Sequence, residues 1–245
     1  MRSCISSGSP MSATMLSTDE IDLVRRSLRS ARGRYDVTRA SQLSGVPRST
    51  VYDWARERVL TPDYRGARPM TWSYRDLVLL RLAVWLRSQG MDRGLVTSRV
   101  ARVRQLLSEG DLRAARVRAD SLHFFLHGNE VDESGQAALD GLLVLVDEFR
   151  LVEGASVIDE LRGRVGGPNL VRPSARSRIS PWVMAGDPCV RDTRLPTASL
   201  WGLHEARGLS SSAMARLYPG IDEADVEDAL ELEAQLRSRA PARAA

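Results

Sequence analysis

The residues with the most reactive side chains lie close together between residues 184 and 197, in the segment MAGDPCVRDTRLPT. It holds a cysteine, two aspartates and two arginines, and a thiol beside charged groups is a candidate nucleophile. A catalytic thiol needs a base, usually histidine, and none of the three histidines in the chain is near Cys189 in the sequence. We therefore expect no catalytic residue here and predict that Cys189 is a small buried side chain.

The two carboxylates of this segment, Asp187 and Asp192, are candidate metal ligands. They stand beside Arg191 and Arg194, and carboxylates next to arginines are more readily neutralised as ion pairs. We predict that these arginines fix the segment to its own domain or to a partner.

A second candidate metal site is formed by His123 and His127, which have the spacing of two ligands on one helix face. The residues between them, Phe-Phe-Leu, and the following Gly128-Asn129 are instead typical of the end of a strand, and no acidic ligand completes the set. We expect neither a metal nor a cofactor, and no enzymatic activity.

The segment opens a C-terminal unit over residues 178–236 that is predicted to be a three-helix, helix-turn-helix-like bundle. Gly208 ends a first helix over 198–207, Ser210 caps a second, and Asp222 with Asp225 begins a third. We expect residues 237–245 to be a flexible tail.

The N-terminal unit over residues 18–108 has the pattern of a winged helix-turn-helix. Thr38 is a predicted helix cap, Gly45 supplies a turn, and Pro47 opens a second helix that places Val51 and Trp54 on one face. A Gly- and Pro-rich hairpin and a capped apolar helix beginning at residue 73 follow.

The rest of the chain is less regular. We predict a disordered leader over 1–17 and a connecting region over 109–177, with a β-hairpin near Gly128 and a linker over 163–177. The fold is therefore expected to be mainly α with small β elements.

Charge is distributed unevenly along the 245 residues. The chain has no lysine, and residues 1–91 contain 15 arginines against 8 acidic residues, whereas the remainder is slightly acidic. An excess of positive charge in a helix-turn-helix unit favours nucleic acid as a partner.

We expect a cytoplasmic protein, because no apolar run is long enough to span a bilayer and no signal peptide follows Met1. With only two cysteines, no disulfide framework is expected.

The N-terminal unit resembles the DNA-binding domain of MerR-type regulators. The resemblance rests on Tyr35, the Leu43-Gly45-Val46 turn, Thr50-Val51 with Trp54, and the helix SYRDLVLLRLAVWLRSQGM. It implies a second helix in the major groove and a wing on the DNA backbone. The predicted DNA-binding residues, including the arginines of the two helices, are Arg39, Arg48, Ser49, Thr50, Tyr52, Arg56, Arg65 and Arg68. Tyr52 and Arg58 depart from the family pattern, so no base preference is inferred. An ordinary solvated face is the alternative for Arg48 and Arg56.

The C-terminal unit resembles a small domain of VapB-type antitoxins that is catalogued as a domain of unknown function. The matching pattern is GDPCVRDTRLPT, a glycine after the first helix, and YPGIDEADVEDAL, with Asp192 where glycine is usual. The two resemblances imply a homodimeric antitoxin that binds operator DNA, represses its own operon and neutralises a PIN-domain ribonuclease. The predicted partner-binding arginines are Arg191, Arg194, Arg237 and Arg239.

Two other functions stay open at this point. The chain fits a one-component regulator whose middle or C-terminal region senses a small ligand. A nuclease is less favoured, because no cluster of acidic residues has the spacing of a metal site.

Overall fold

In a computed structural model the described residues are 17–88, 90–109 and 167–238. They form eight α-helices and two small antiparallel sheets, which confirms the predicted fold class. The predicted hairpin near Gly128, the pair His123 and His127, and almost all of the leader lie outside these residues. None of the described helices combines the length and the apolar character needed to cross a membrane.

The N-terminal unit contains five of the helices and one of the sheets. Its elements are α1 (Thr18–Arg29), β1 (Tyr35–Asp36), α2 (Val37–Ser44), α3 (Arg48–Arg56), β2 (Thr71–Trp72), α4 (Tyr74–Ser88) and α5 (Arg93–Glu109). The C-terminal unit comprises β3 (Ser177–Arg178), a 3-10 turn (Met184–Gly186), β4 (Cys189–Val190), α6 (Thr197–Arg207), α7 (Ser211–Leu217) and α8 (Glu223–Ser238).

Local capping explains where most helices of the N-terminal unit begin or end. Gly45 ends α2 in the left-handed region, which glycine adopts without steric cost, and Pro47 precedes α3. Ser73 and Asp76 form the predicted capping box of α4. The predicted cap of α2 is wrong, because Asp36 rather than Thr38 accepts the backbone N–H of Arg39, at 2.7 Å. In α1 the cap is Ser17, whose side chain accepts the backbone N–H of Glu20.

The N-terminal sheet holds the hairpin over residues 64–71, called the wing here, against the helices. Strand β1 pairs antiparallel with β2, with Tyr35 opposite Trp72. A further bridge joins Tyr64 to Thr71 and closes the wing hairpin, whose tip includes Gly66 in a left-handed conformation. The wing is therefore anchored to β1, which leads directly into α2.

The main hydrophobic core joins both units. It contains Val51 and Trp54 of α3 and most of α4, and Leu232 and Leu236 of α8 pack into it. In α5, Val96 and other inward residues are buried in the same core. The C-terminal bundle has its own smaller core around Leu200 and Met214.

Residues 167–176 pack against the N-terminal unit, whereas the sequence predicts a flexible linker here. Leu170 and Val171 are buried in the main core, and the Tyr74 hydroxyl donates to the Leu170 carbonyl at 3.0 Å. Gly167 approaches the helix-turn-helix so closely that an added Cβ would lie 2.5 Å from the carbonyl oxygen of Leu43. The glycine thus allows close packing rather than flexibility.

The C-terminal bundle matches its predicted outline. Gly208 ends α6 in the left-handed region, Ser210 caps α7, and Asp222 and Asp225 bond reciprocally to each other's backbone at the start of α8. The segment that begins this bundle forms β4, whose partner is β3, with Ser177 opposite Val190.

Candidate nucleic-acid interface

The outer face of α3 presents a contiguous polar surface. Val51 and Trp54 point into the core, and the opposite arc of the helix is exposed. At 3.6 residues per turn this arc carries Arg48, Tyr52 and Arg56 in one row, flanked by Ser49 and Asp53. Thr50 lies at the edge of the arc and is half-buried. Helix α2 and the turn at Gly45 hold this face in place through the main core.

Arginine side chains on this face differ in their electrostatic environment. Arg56 is exposed but contacts Asp53 at 3.0 Å and Glu57 at 3.7 Å, so its charge is partly offset. Glu57 also pairs with Arg93 of α5. In the part of the chain that the structure describes, Arg48 forms no such ion pair. Arg48 is therefore the cation on α3 that is best placed to attract a phosphate or a base edge.

The wing adds two exposed arginines, Arg65 and Arg68, on either side of Gly66. A charge network fixes the chain at Asp63, directly before the wing. Arg75 contacts Asp63 at 2.7 Å, and Arg104 contacts both Asp63 and Asp76 at 2.6 Å. Burial raises the pKa of Asp63, but hydrogen bonds from Arg75 and Ser73 outweigh it and hold that pKa below its ordinary value. These acidic groups stabilise the fold and do not offset the charge of the wing tip.

Arg39 does not belong to this surface, which corrects the predicted set. Its Nη2 contacts Glu233 of α8 at 2.8 Å and its Nε contacts Asp187 at 2.8 Å, and only 12% of its side chain is exposed. Burial acts to lower the pKa of Arg39, but the hydrogen bonds and negative charge of Glu233 outweigh it, so the pKa is raised. Arg39 joins the two units and is not part of the exposed arc of α3.

Glu233 is the centre of this interunit contact and was not singled out from the sequence. It is fully buried and accepts hydrogen bonds from Arg39, from the Thr197 hydroxyl at 2.5 Å and from Arg237. Burial raises the pKa of Glu233, but the bonds and charge of Arg39 dominate, and the pKa is lowered. Arg237 is one helical turn away, but Arg39 and Thr197 are distant along the chain, so no local pattern could have identified the contact between the units.

The segment MAGDPCVRDTRLPT also contacts the N-terminal unit through its backbone. The Tyr35 hydroxyl donates to the Gly186 carbonyl at 2.9 Å, and the Arg34 N–H donates to the Ala185 carbonyl at 2.7 Å. Gly186 has φ +91°, and a Cβ there would lie 2.8 Å from the Tyr35 ring carbon that carries the hydroxyl.

The thiol and the carboxylates of this segment have different surroundings. Cys189 is buried, as predicted, and burial raises the pKa of its thiol to about 11, so the thiolate is scarce at neutral pH. Asp187 pairs with Arg39 rather than with the neighbouring arginines, and Asp192 is almost fully exposed. No group of three or more metal-ligating side chains occurs within the described ranges.

The predicted partner-binding arginines lie in different surroundings. Arg191 and Arg194 are exposed, and Arg191 is 3.6 Å from its neighbour Asp192, whose φ of +61° shows that it occupies the left-handed region where glycine is usual. Arg237 pairs with Glu233 and lies 4.8 Å over the Trp201 ring. Arg239 lies outside the described residues. Arg237 is thus engaged within the fold, whereas Arg191 and Arg194 are exposed.

Comparison with known proteins gave a match in the C-terminal unit. Neither the curated proteins nor the solved structures contain a match to this chain. Residues 178–232, which span the C-terminal sheet and helices up to Leu232, match the model of the family described as "Protein of unknown function (DUF433)". The C-terminal unit is thus similar to a domain family whose function is not established.

Proposed function

We propose that the protein binds operator DNA through its N-terminal winged helix-turn-helix and represses transcription. The observation that carries the proposal is the exposed arc of α3, where Arg48 stands without an ion pair among the described residues. Arg65 and Arg68 on the wing supply further positive charge for the phosphate backbone. The resemblance of this unit to MerR-type regulators supports the same assignment.

On DNA, α3 enters the major groove and its polar side chains reach the base edges. Arginine is well matched to guanine and to phosphate, and Ser49 and Tyr52 provide hydroxyl groups for further contacts. The protein acts as a homodimer, so that two copies of α3 read two half-sites in successive major grooves.

We further propose that the protein is the antitoxin of a type II toxin-antitoxin pair. This rests on the resemblance of residues 178–236 to the C-terminal domain of VapB-type antitoxins. The cognate toxin is a PIN-domain ribonuclease, and the exposed Arg191 and Arg194 belong to the surface that contacts it. Arg237 contributes less, because Glu233 and Trp201 already engage its guanidinium.

Two experiments test the two parts separately. For DNA binding, nuclease footprinting on the DNA upstream of the gene should reveal a protected, two-fold symmetric site, and absence of protection would contradict the proposal. For the antitoxin role, the tagged protein is co-expressed with the product of the adjacent gene. Co-purification and relief of growth arrest are expected, and failure of both would refute that role.

A further inference from the structure

Two exposed arginines lie next to the wing but outside the helix-turn-helix. Arg32 and Arg34 belong to the segment that connects α1 to β1. The Arg34 guanidinium carbon lies 4.9 Å over the centre of the Tyr64 ring, and Tyr64 is the residue where the wing hairpin closes. The positive charge of the wing therefore continues from its tip, through Tyr64, to this segment.

The backbone of the segment is held at three points. The Tyr74 N–H donates to the Arg32 carbonyl at 2.7 Å, the Arg34 N–H donates to the Ala185 carbonyl at 2.7 Å, and the Tyr64 hydroxyl donates to the Ala31 carbonyl at 2.8 Å. Because these anchors come from α4, the C-terminal unit and the wing, the two arginines are presented from a rigid base. A surface ordered in advance loses little conformational entropy on binding.

The acidic residues Asp36 and Asp63 form no ion pair with Arg32 or Arg34 among the described residues. Asp63, the neighbour of Tyr64, is buried and engaged by Arg75 and Arg104. Asp36 accepts the N–H that begins α2. Within the described ranges, neither Arg32 nor Arg34 forms an ion pair.

We infer that Arg32 and Arg34 form a phosphate-binding strip that extends the DNA interface beyond the wing. The strip contacts backbone phosphates and no bases, so it adds affinity without adding sequence preference. This inference rests on the proposed DNA-binding function.

The inference is tested with Arg32→Ala/Arg34→Ala and two labelled duplexes, one from the DNA upstream of the gene and one of scrambled sequence. Affinity is measured by fluorescence anisotropy between 50 and 200 mM salt. Each lost phosphate contact lowers the slope of log affinity against log salt by about 0.9, so the double variant should lose about 1.8 on both duplexes. Raising the salt from 50 to 200 mM should therefore reduce the affinity of the double variant by a factor about 12 times smaller than the factor for the wild type.

Matched variants separate this effect from general loss of charge or fold. Arg207→Ala/Arg216→Ala removes two exposed arginines of the C-terminal bundle and should leave the slope unchanged. Arg32→Lys/Arg34→Lys keeps the charge and should keep the slope. A wild-type slope in the double alanine variant, with Arg48→Ala still weakening binding, would overturn the strip but not the proposed function. A wild-type protein that binds neither duplex at 50 mM salt would overturn both.

Discussion

Replacing Glu233 by glutamine should weaken the whole fold, because this residue joins the two units. The substitution keeps the size of the side chain and removes the charge that faces Arg39 at 2.8 Å. Removing one partner of a buried ion pair costs about 3–5 kcal/mol. Arg39 retains Asp187, so we expect a value near the lower limit, about 3 kcal/mol.

The measurement is thermal unfolding followed by circular dichroism, with urea titration as a second method. In a chain of this size 1 kcal/mol corresponds to about 2–4 °C, so the midpoint should fall by about 6–12 °C. Glu231→Gln is the matched control: Glu231 is exposed on the same helix, and its loss should change stability by less than about 0.5 kcal/mol. A Glu233→Gln midpoint within 2 °C of the wild type would refute the assigned role of the ion pair.

The other predictions concern single features of the fold. Gly186→Ala should destabilise the protein by more than about 2 kcal/mol in urea titration, because it combines a left-handed backbone with a clash against Tyr35; a loss below 0.5 kcal/mol would contradict this packing. The folded-state pKa of Glu233 is lowered, so its contribution to stability is present above about pH 4.3 and is lost as the pH falls below that value. Glu233→Gln should therefore show a flatter stability profile between pH 5 and 3, and identical profiles would exclude the pair as a source of acid sensitivity. In a Cys4→Ser background, Cys189 should react with iodoacetamide at pH 7.5 much more slowly in the folded than in the unfolded protein, since burial raises its pKa to about 11; equal rates would show that the thiol is accessible.

Short-range signals allowed much of the secondary structure to be predicted from the sequence. The Gly45 turn, Pro47 before α3, the Ser73–Asp76 box and the Gly208 end of α6 each depend on residues within one helical turn. The capping error at α2 has a long-range cause. Asp36 and Thr38 are both good capping residues, and Asp36 is selected because its pairing with Thr71 holds its backbone extended.

The contacts between the two units could not be predicted in this way. Arg39 is on the helix-turn-helix and its partner Glu233 lies on the last described helix. The sequence alone therefore predicts a DNA contact for a side chain that is only 12% exposed. The sequence around Gly167 predicts a linker rather than the packed segment observed, because glycine and proline interrupt helices in flexible and in tightly packed segments alike. The side chains of α3, in contrast, were predicted from periodicity, and their exposure agrees with it.

The most direct test of the central claim is the affinity of Arg48→Ala for the duplex upstream of the gene, at one fixed salt concentration. Arg48 is exposed at the start of α3 and has no ion pair within the described ranges, so its loss should not disturb the fold. If α3 reads DNA, binding should weaken by about 1–3 kcal/mol, which is about 5- to 150-fold. Arg207→Ala, on the C-terminal bundle, should bind like the wild type. Equal affinities for Arg48→Ala and the wild type would contradict the claim that α3 is the DNA-binding helix.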